Sequence, residues 1–84
     1  MQIQTALDWQ EVATNLRNDL HRLGYNPDLK KMFNNLQFMV TELSKLEVTL
    51  RRTGKFEMLD DRVAEINKAI DHFEKLLLMA NLMK

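Results

Sequence analysis

Residues 51–61, Arg51-Arg52-Thr53-Gly54-Lys55-Phe56-Glu57-Met58-Leu59-Asp60-Asp61, decide how this chain folds. Upstream of them Leu29, Met32, Leu36, Met39, Leu43, Leu46 and Leu50 recur in steps of three and four, widened by Phe33 and Val40. Downstream, Phe56, Leu59, Val63, Ile66, Ile70, Phe73, Leu77 and Ala80 keep the same rhythm, broadened by Ala69, Leu76 and Met83. Each set places its apolar side chains on one face of a helix. Continued past Leu50, the first stripe requires Thr53 and Glu57, yet the apolar pattern restarts at Phe56. The phase slips at Gly54, the residue best suited to a left-handed helix terminus. Charge agrees with a corner. Arg51, Arg52 and Lys55 sit by the negative end of one helix, and Glu57, Asp60 and Asp61 by the positive start of the next. The competing arrangement is one kinked helix about 80 Å long. The corner leaves the second long helix without an obvious capping side chain unless Thr53 serves.

A shorter segment precedes these two. Ala6, Trp9, Ala13, Leu16, Leu20 and Leu23 form its stripe, and Thr5 with Asp8 makes a capping-box-like start. It ends at Leu23-Gly24-Tyr25-Asn26-Pro27-Asp28, where Gly24 is expected to close a Schellman motif with Tyr25 folded back on Leu20. Asn26 is placed to cap the next helix, with Pro27 at its first position, where a missing N–H does no harm. The reading is an all-α chain, a single helical domain over residues 1–84, with helices at about 5–23, 27–53 and 56–83. The long second and third helices form an antiparallel, coiled-coil-like hairpin, its bundle completed by oligomerisation.

Size makes that completion plausible. A chain of 84 residues buries only about 60% of the surface exposed by its unfolded form. It has no cysteine, so disulfides and thiolate zinc sites are closed to it, and self-association is the remaining support. The start, MQIQTALDWQ, lacks a cationic region followed by an apolar core, so no secretory signal is expected. The run LLLMANLM at 76–83 falls far short of the roughly 20 residues of a membrane span. A cytoplasmic protein is expected.

Chemistry is sparse. The Gly54-Lys55 pair lacks the upstream glycine and following hydroxyl residue of a phosphate loop. An anion at the start of the third helix would meet Glu57, Asp60 and Asp61. His21 and His72, the only two histidines, have no second ligand three or four residues away. Ser44 is the sole serine, and Asp60 and Asp61 point in different directions on a helix. No catalytic residue, metal site or cofactor is expected. Twelve basic and twelve acidic side chains balance, which removes long-range steering toward anionic partners. A local basic corner is still expected where the first helix ends and the second begins, from Arg17, His21, Arg22, Lys30 and Lys31. The alternative reading, a nucleic-acid-binding regulator, rests on Arg17, Arg22, Lys30 and Lys31, duplicated by dimerisation. Aromatic side chains for stacking on bases are scarce there, Tyr25 being the one at hand.

The strongest functional signal is apolar surface in excess of what three helices can cover. Phe38 and Val48 fall off the second helix's stripe, and Met58, Leu78, Met79 and Leu82 off the third's. A helix end that is apolar all round is normally covered. Phe38, Val48, Leu76, Leu78, Met79, Leu82 and Met83 are therefore the expected interface. Its expected occupants are a second copy, as a homodimer or higher homo-oligomer, and an unidentified protein partner. The expected function is that of a non-enzymatic adaptor, regulator or inhibitor acting by stoichiometric binding. On this reading Leu78→Glu with Leu82→Glu dissociates the oligomer. Membrane-surface binding through the C-terminal turn is weaker, because its flank offers only Lys75 and Lys84.

Overall fold

Gly54 adopts φ 74°, ψ 14°, the left-handed conformation that ends a helix, and the chain turns there. In the computed structural model, which describes residues 2–83, three α-helices are formed by the described residues: α1 (Trp9–Leu23), α2 (Pro27–Thr53) and α3 (Phe56–Leu82). A 3-10 turn, Ala6–Asp8, precedes α1. The long helices are thus separate. The Lys55 N–H donates to the Leu50 carbonyl at 3.1 Å, the six-to-one bond of a Schellman closure. Thr53 does not cap α3. Its hydroxyl donates back to the carbonyls of Thr49 and Leu50 at 3.4 and 3.2 Å, so it belongs to the end of α2. Lys55 stands at the α3 N-cap with no side-chain capping bond.

The first corner departs from expectation. Gly24 lies at φ 93°, ψ −155°, a region open essentially to glycine alone, and from it the chain runs outward. Tyr25 accordingly is 93% exposed instead of folding back on Leu20. Asn26 does cap α2, its Oδ1 accepting from the Leu29 N–H at 3.1 Å with Pro27 at the first helical position.

One aromatic from each helix meets in the core. Trp9 and Phe33 lie 5.9 Å apart between ring centroids, and Phe33 and Phe73 6.1 Å apart, tilted 32° and 41°. Such tilted pairs add roughly 0.5–1.5 kcal/mol each beyond area burial. Arg17 of α1 covers the Phe33 ring from the solvent side, its guanidinium carbon 5.5 Å from the centroid. Around this ladder Leu16, Leu29, Leu36, Val40, Leu43, Ile66, Ile70 and Leu77 are buried. Val12, absent from the first stripe as read from sequence, is buried too.

The N-terminal segment crosses the hairpin as a strap. Ile3 is 1% exposed and is held on both backbone groups by Asn67 of α3. Its N–H donates to Asn67 Oδ1 at 2.7 Å, and its carbonyl accepts from Asn67 Nδ2 at 2.9 Å. Ala6 N–H donates to Glu47 Oε1 of α2 at 2.8 Å. Asp8 takes the N–H groups of Gln4 and Thr5 at 2.8 and 3.1 Å, which turns the strap into α1.

Helix length sets the shape. At 1.5 Å per residue α1 is about 22 Å long and each hairpin helix about 40 Å. α1 and the strap cover one face of the hairpin toward its open end, leaving the part near Gly54 as two helices only. There residues 51–58 are all exposed, and Phe56, placed at the head of the α3 stripe from sequence, is 56% exposed.

Candidate interaction site

The sequence-derived interface residues do not form one patch. Leu76 is half-buried against the core. Phe38, Val48, Leu78, Met79, Leu82 and Met83 are exposed, from 57% at Val48 and Met79 to 85% at Met83. α1 therefore does not hide the end of α3. Within the run 76–83 only Leu77 is buried.

Two sides of the hairpin separate these residues. α1 sits over one side. It shares a cavity with Phe33, Asn34 and Gln37 of α2 and another, through Leu16 and Asp19, with Glu74, Leu77, Leu78 and Asn81 of α3. The opposite side is an open groove between α2 and α3. Its two shallow cavities, each about 130 Å³, are lined by α2 and α3 residues alone: Phe38, Met39, Leu46 and Arg62 among them near the middle, and Met32, Ala69 and His72 toward the open end.

Helical spacing extends that groove. On α2, Met32, Asn35, Met39, Glu42 and Leu46 follow steps of three and four. On α3, Met58, Arg62, Glu65 and Ala69 do the same, and His72, Leu76, Met79 and Met83 continue the row without interruption. Every methionine after Met1 is on one of these two rows. These rows mix apolar side chains with Asn35, Glu42, Arg62, Glu65 and His72, and their Met32, Met39, Ala69 and Leu76 are partly buried against the core. The stripes read from sequence already held Met32, Met39 and Leu46 on α2 and, as a broadening, Ala69, Leu76 and Met83 on α3; Met58 and Met79 are the members of these rows that those stripes left off. Leu78 and Leu82 fall outside the row, toward the α1 side and the outer edge of α3.

The basic corner is partly assembled. Arg17, His21, Tyr25 and Lys30 line a cavity of about 440 Å³, with Phe33 among its walls. Arg22 and Lys31 are not in its lining, and Arg22 pairs with Asp19 at 3.9 Å on the surface. Among the described residues no group of three or more His, Cys, Asp or Glu is arranged to hold a metal ion, and no helix is long and apolar enough to cross a membrane. Compared with known proteins, the chain matches no family, and no curated protein or solved structure is significantly similar to it.

Proposed function

We propose that this is a small, non-enzymatic helical interaction protein that associates with itself and acts as an adaptor or a regulator or inhibitor of a protein partner by stoichiometric binding. One observation carries the reading. The last turns of α3 present Leu78, Met79, Leu82 and Met83, each more than half exposed, on a helix whose inner face is already committed to the core. Apolar side chains concentrated in this way are a feature of binding surfaces, and flexible methionines suit a surface that adapts to its partner. The bundle is completed by association, as a small core requires. A cytoplasmic setting belongs to the same proposal.

Light scattering across a concentration series tests it. The expected result is a mass at or above twice the monomer in the micromolar range; a strictly monomeric chain at high micromolar concentration sinks the self-association. A second reading, nucleic-acid binding, is favoured by the cavity that gathers Arg17, His21, Lys30 and Tyr25. It requires retention on DNA or RNA that weakens steeply with salt and is lost in Lys30→Glu with Lys31→Glu. No retention at low salt removes it.

A further inference from the structure

We infer that the cleft between the end of α1 and the start of α2 binds a small organic anion, a carboxylate or phosphate carried on a flat apolar body. This goes beyond the self-association proposed above and does not depend on it. The cleft encloses about 440 Å³, within the roughly 300–1,000 Å³ of small-molecule sites. Its floor is apolar, with Phe33 at the base beneath Arg17 and half-buried Leu20 beside it. The charge around that floor has one sign. Arg17 and His21, one turn apart on α1, line the cleft from one side, and Lys30 lines it from α2, followed there by the amides of Asn34 and Gln37. Among the described residues, no carboxylate lines the cleft and no ion pair engages Arg17, His21 or Lys30. The acids of this corner stand outside it. Asp19 pairs with Arg22 at 3.9 Å and lines the cavity shared with α3, and Asp28 is exposed on the first turn of α2, away from the lining.

Backbone geometry keeps this cleft open. Gly24 takes φ 93°, ψ −155°, a conformation essentially reserved to glycine, in place of the closure that would lay Tyr25 on Leu20. Tyr25 stands instead at the mouth, 93% exposed and part of the lining, where its ring is free to close on a flat ligand. The Gly24 N–H donates to the carbonyls of Leu20 and His21, each at 3.2 Å. That occupies two of the acceptors which the end of α1 would otherwise turn on an anion. The Arg17 guanidinium rests over the Phe33 ring, 5.5 Å from its centroid, a contact that holds a planar donor fork at the edge of the apolar floor. A bare phosphate would leave that floor wet, and a neutral hydrocarbon would bury cations without a counter-charge. A ligand that carries both parts satisfies both. A nucleic-acid strand needs cations spaced along its backbone, whereas Arg22 and Lys31 lie outside this cleft.

Titration of the full chain with 2-naphthoate at pH 7 and constant ionic strength, followed by amide NMR shifts, tests this. The expected result is saturable binding with a dissociation constant on the order of a millimolar or tighter, the range for a ligand of about a dozen atoms, with the shifts concentrated in residues 17–37. Inorganic phosphate, which lacks the ring, and neutral 2-naphthol, which lacks the charge, are each expected to bind more weakly. Arg17→Gln with Lys30→Gln is expected to weaken naphthoate about tenfold, and Tyr25→Ala to weaken it where Tyr25→Phe does not. Arg51→Gln with Lys68→Gln removes the same charge from exposed positions elsewhere and is expected to leave affinity unchanged, which separates the site from net charge. Urea unfolding of both double variants identifies any loss that comes from folding. No saturation by about 10 mM overturns the proposal, as does equal binding of 2-naphthol or a shift pattern centred on the end of α3. Retention of a single-stranded oligonucleotide that Arg17→Gln with Lys30→Gln abolishes, without naphthoate binding, also overturns it and assigns the corner to nucleic acid.

Discussion

Gly24 and Gly54 both have positive φ, and a Cβ at either would meet no atom within 4 Å, so any penalty for a side chain there is backbone strain alone. The two strains differ. Gly54 occupies the left-handed helical well, where an L-residue loses roughly 1–2 kcal/mol. Gly24 lies in a region nearly closed to other residues, at up to about 3 kcal/mol. Gly24→Ala is therefore expected to destabilise more than Gly54→Ala, as read by urea unfolding; equal losses would contradict the assignment. Two phenylalanines make a similar contrast. Phe73 is 0% exposed and joins the aromatic ladder, while Phe56 is 56% exposed. Phe73→Ala is expected to lose about 3–5 kcal/mol and Phe56→Ala no more than about 0.5. Both stand on the same three-four rhythm, which shows why periodicity identified Phe73 and overstated Phe56. The pattern reports which way a side chain faces, and burial requires another helix to be there.

At the scale of elements, the strap is what the sequence concealed. Residues 2–5 have no periodicity, and Ile3 is a lone apolar residue before the first stripe. Its place depends on Asn67, 64 positions away. The Asn67 amide is the right group for the task because one side chain supplies both an acceptor for the Ile3 N–H and a donor for its carbonyl. Asn67→Ala is expected to lower stability by about 1–3 kcal/mol through two unmatched, partly buried backbone groups. It should also remove the slow hydrogen exchange of the Ile3 amide while leaving α2 and α3 protected. Unchanged protection at Ile3 would mean that the side-chain packing of Ile3 alone holds the strap. The helices themselves were far more legible. Asn26, Pro27 and Gly54 act locally, through capping bonds and backbone wells, so their roles follow from a few adjacent residues.

For the whole molecule, the mismatch between a 15-residue α1 and two 27-residue partners decides where stability lies. The aromatic ladder and most buried side chains lie under α1 and the strap. Leu50, near the corner, is buried outside that cluster, and Leu46, Leu59 and Val63 beside it are only half-buried. Amides of residues 46–63 are expected to exchange faster than those of 33–40 and 66–77, because local opening there exposes few apolar contacts. Uniform protection along the hairpin in dilute solution would show that the corner is supported by something beyond the two helices. If the proposed self-association holds, the gradient is expected to flatten as concentration rises, since binding to the folded state stabilises it by mass action.

By itself the sequence determined the helices, the two corners and the presence of surplus apolar surface. Each of these depends on interactions a few residues apart: capping bonds, the wells open to glycine, and the three-four spacing that turns side chains to one face. Only the tertiary structure decided that Ile3 is clasped by Asn67 and that the surplus divides between the open α2–α3 groove and the outer edge of α3. Those outcomes depend on which helix lies over which face and how far it reaches. A short α1 can cover just one side of a long hairpin, and no spacing within a single helix records which side that is.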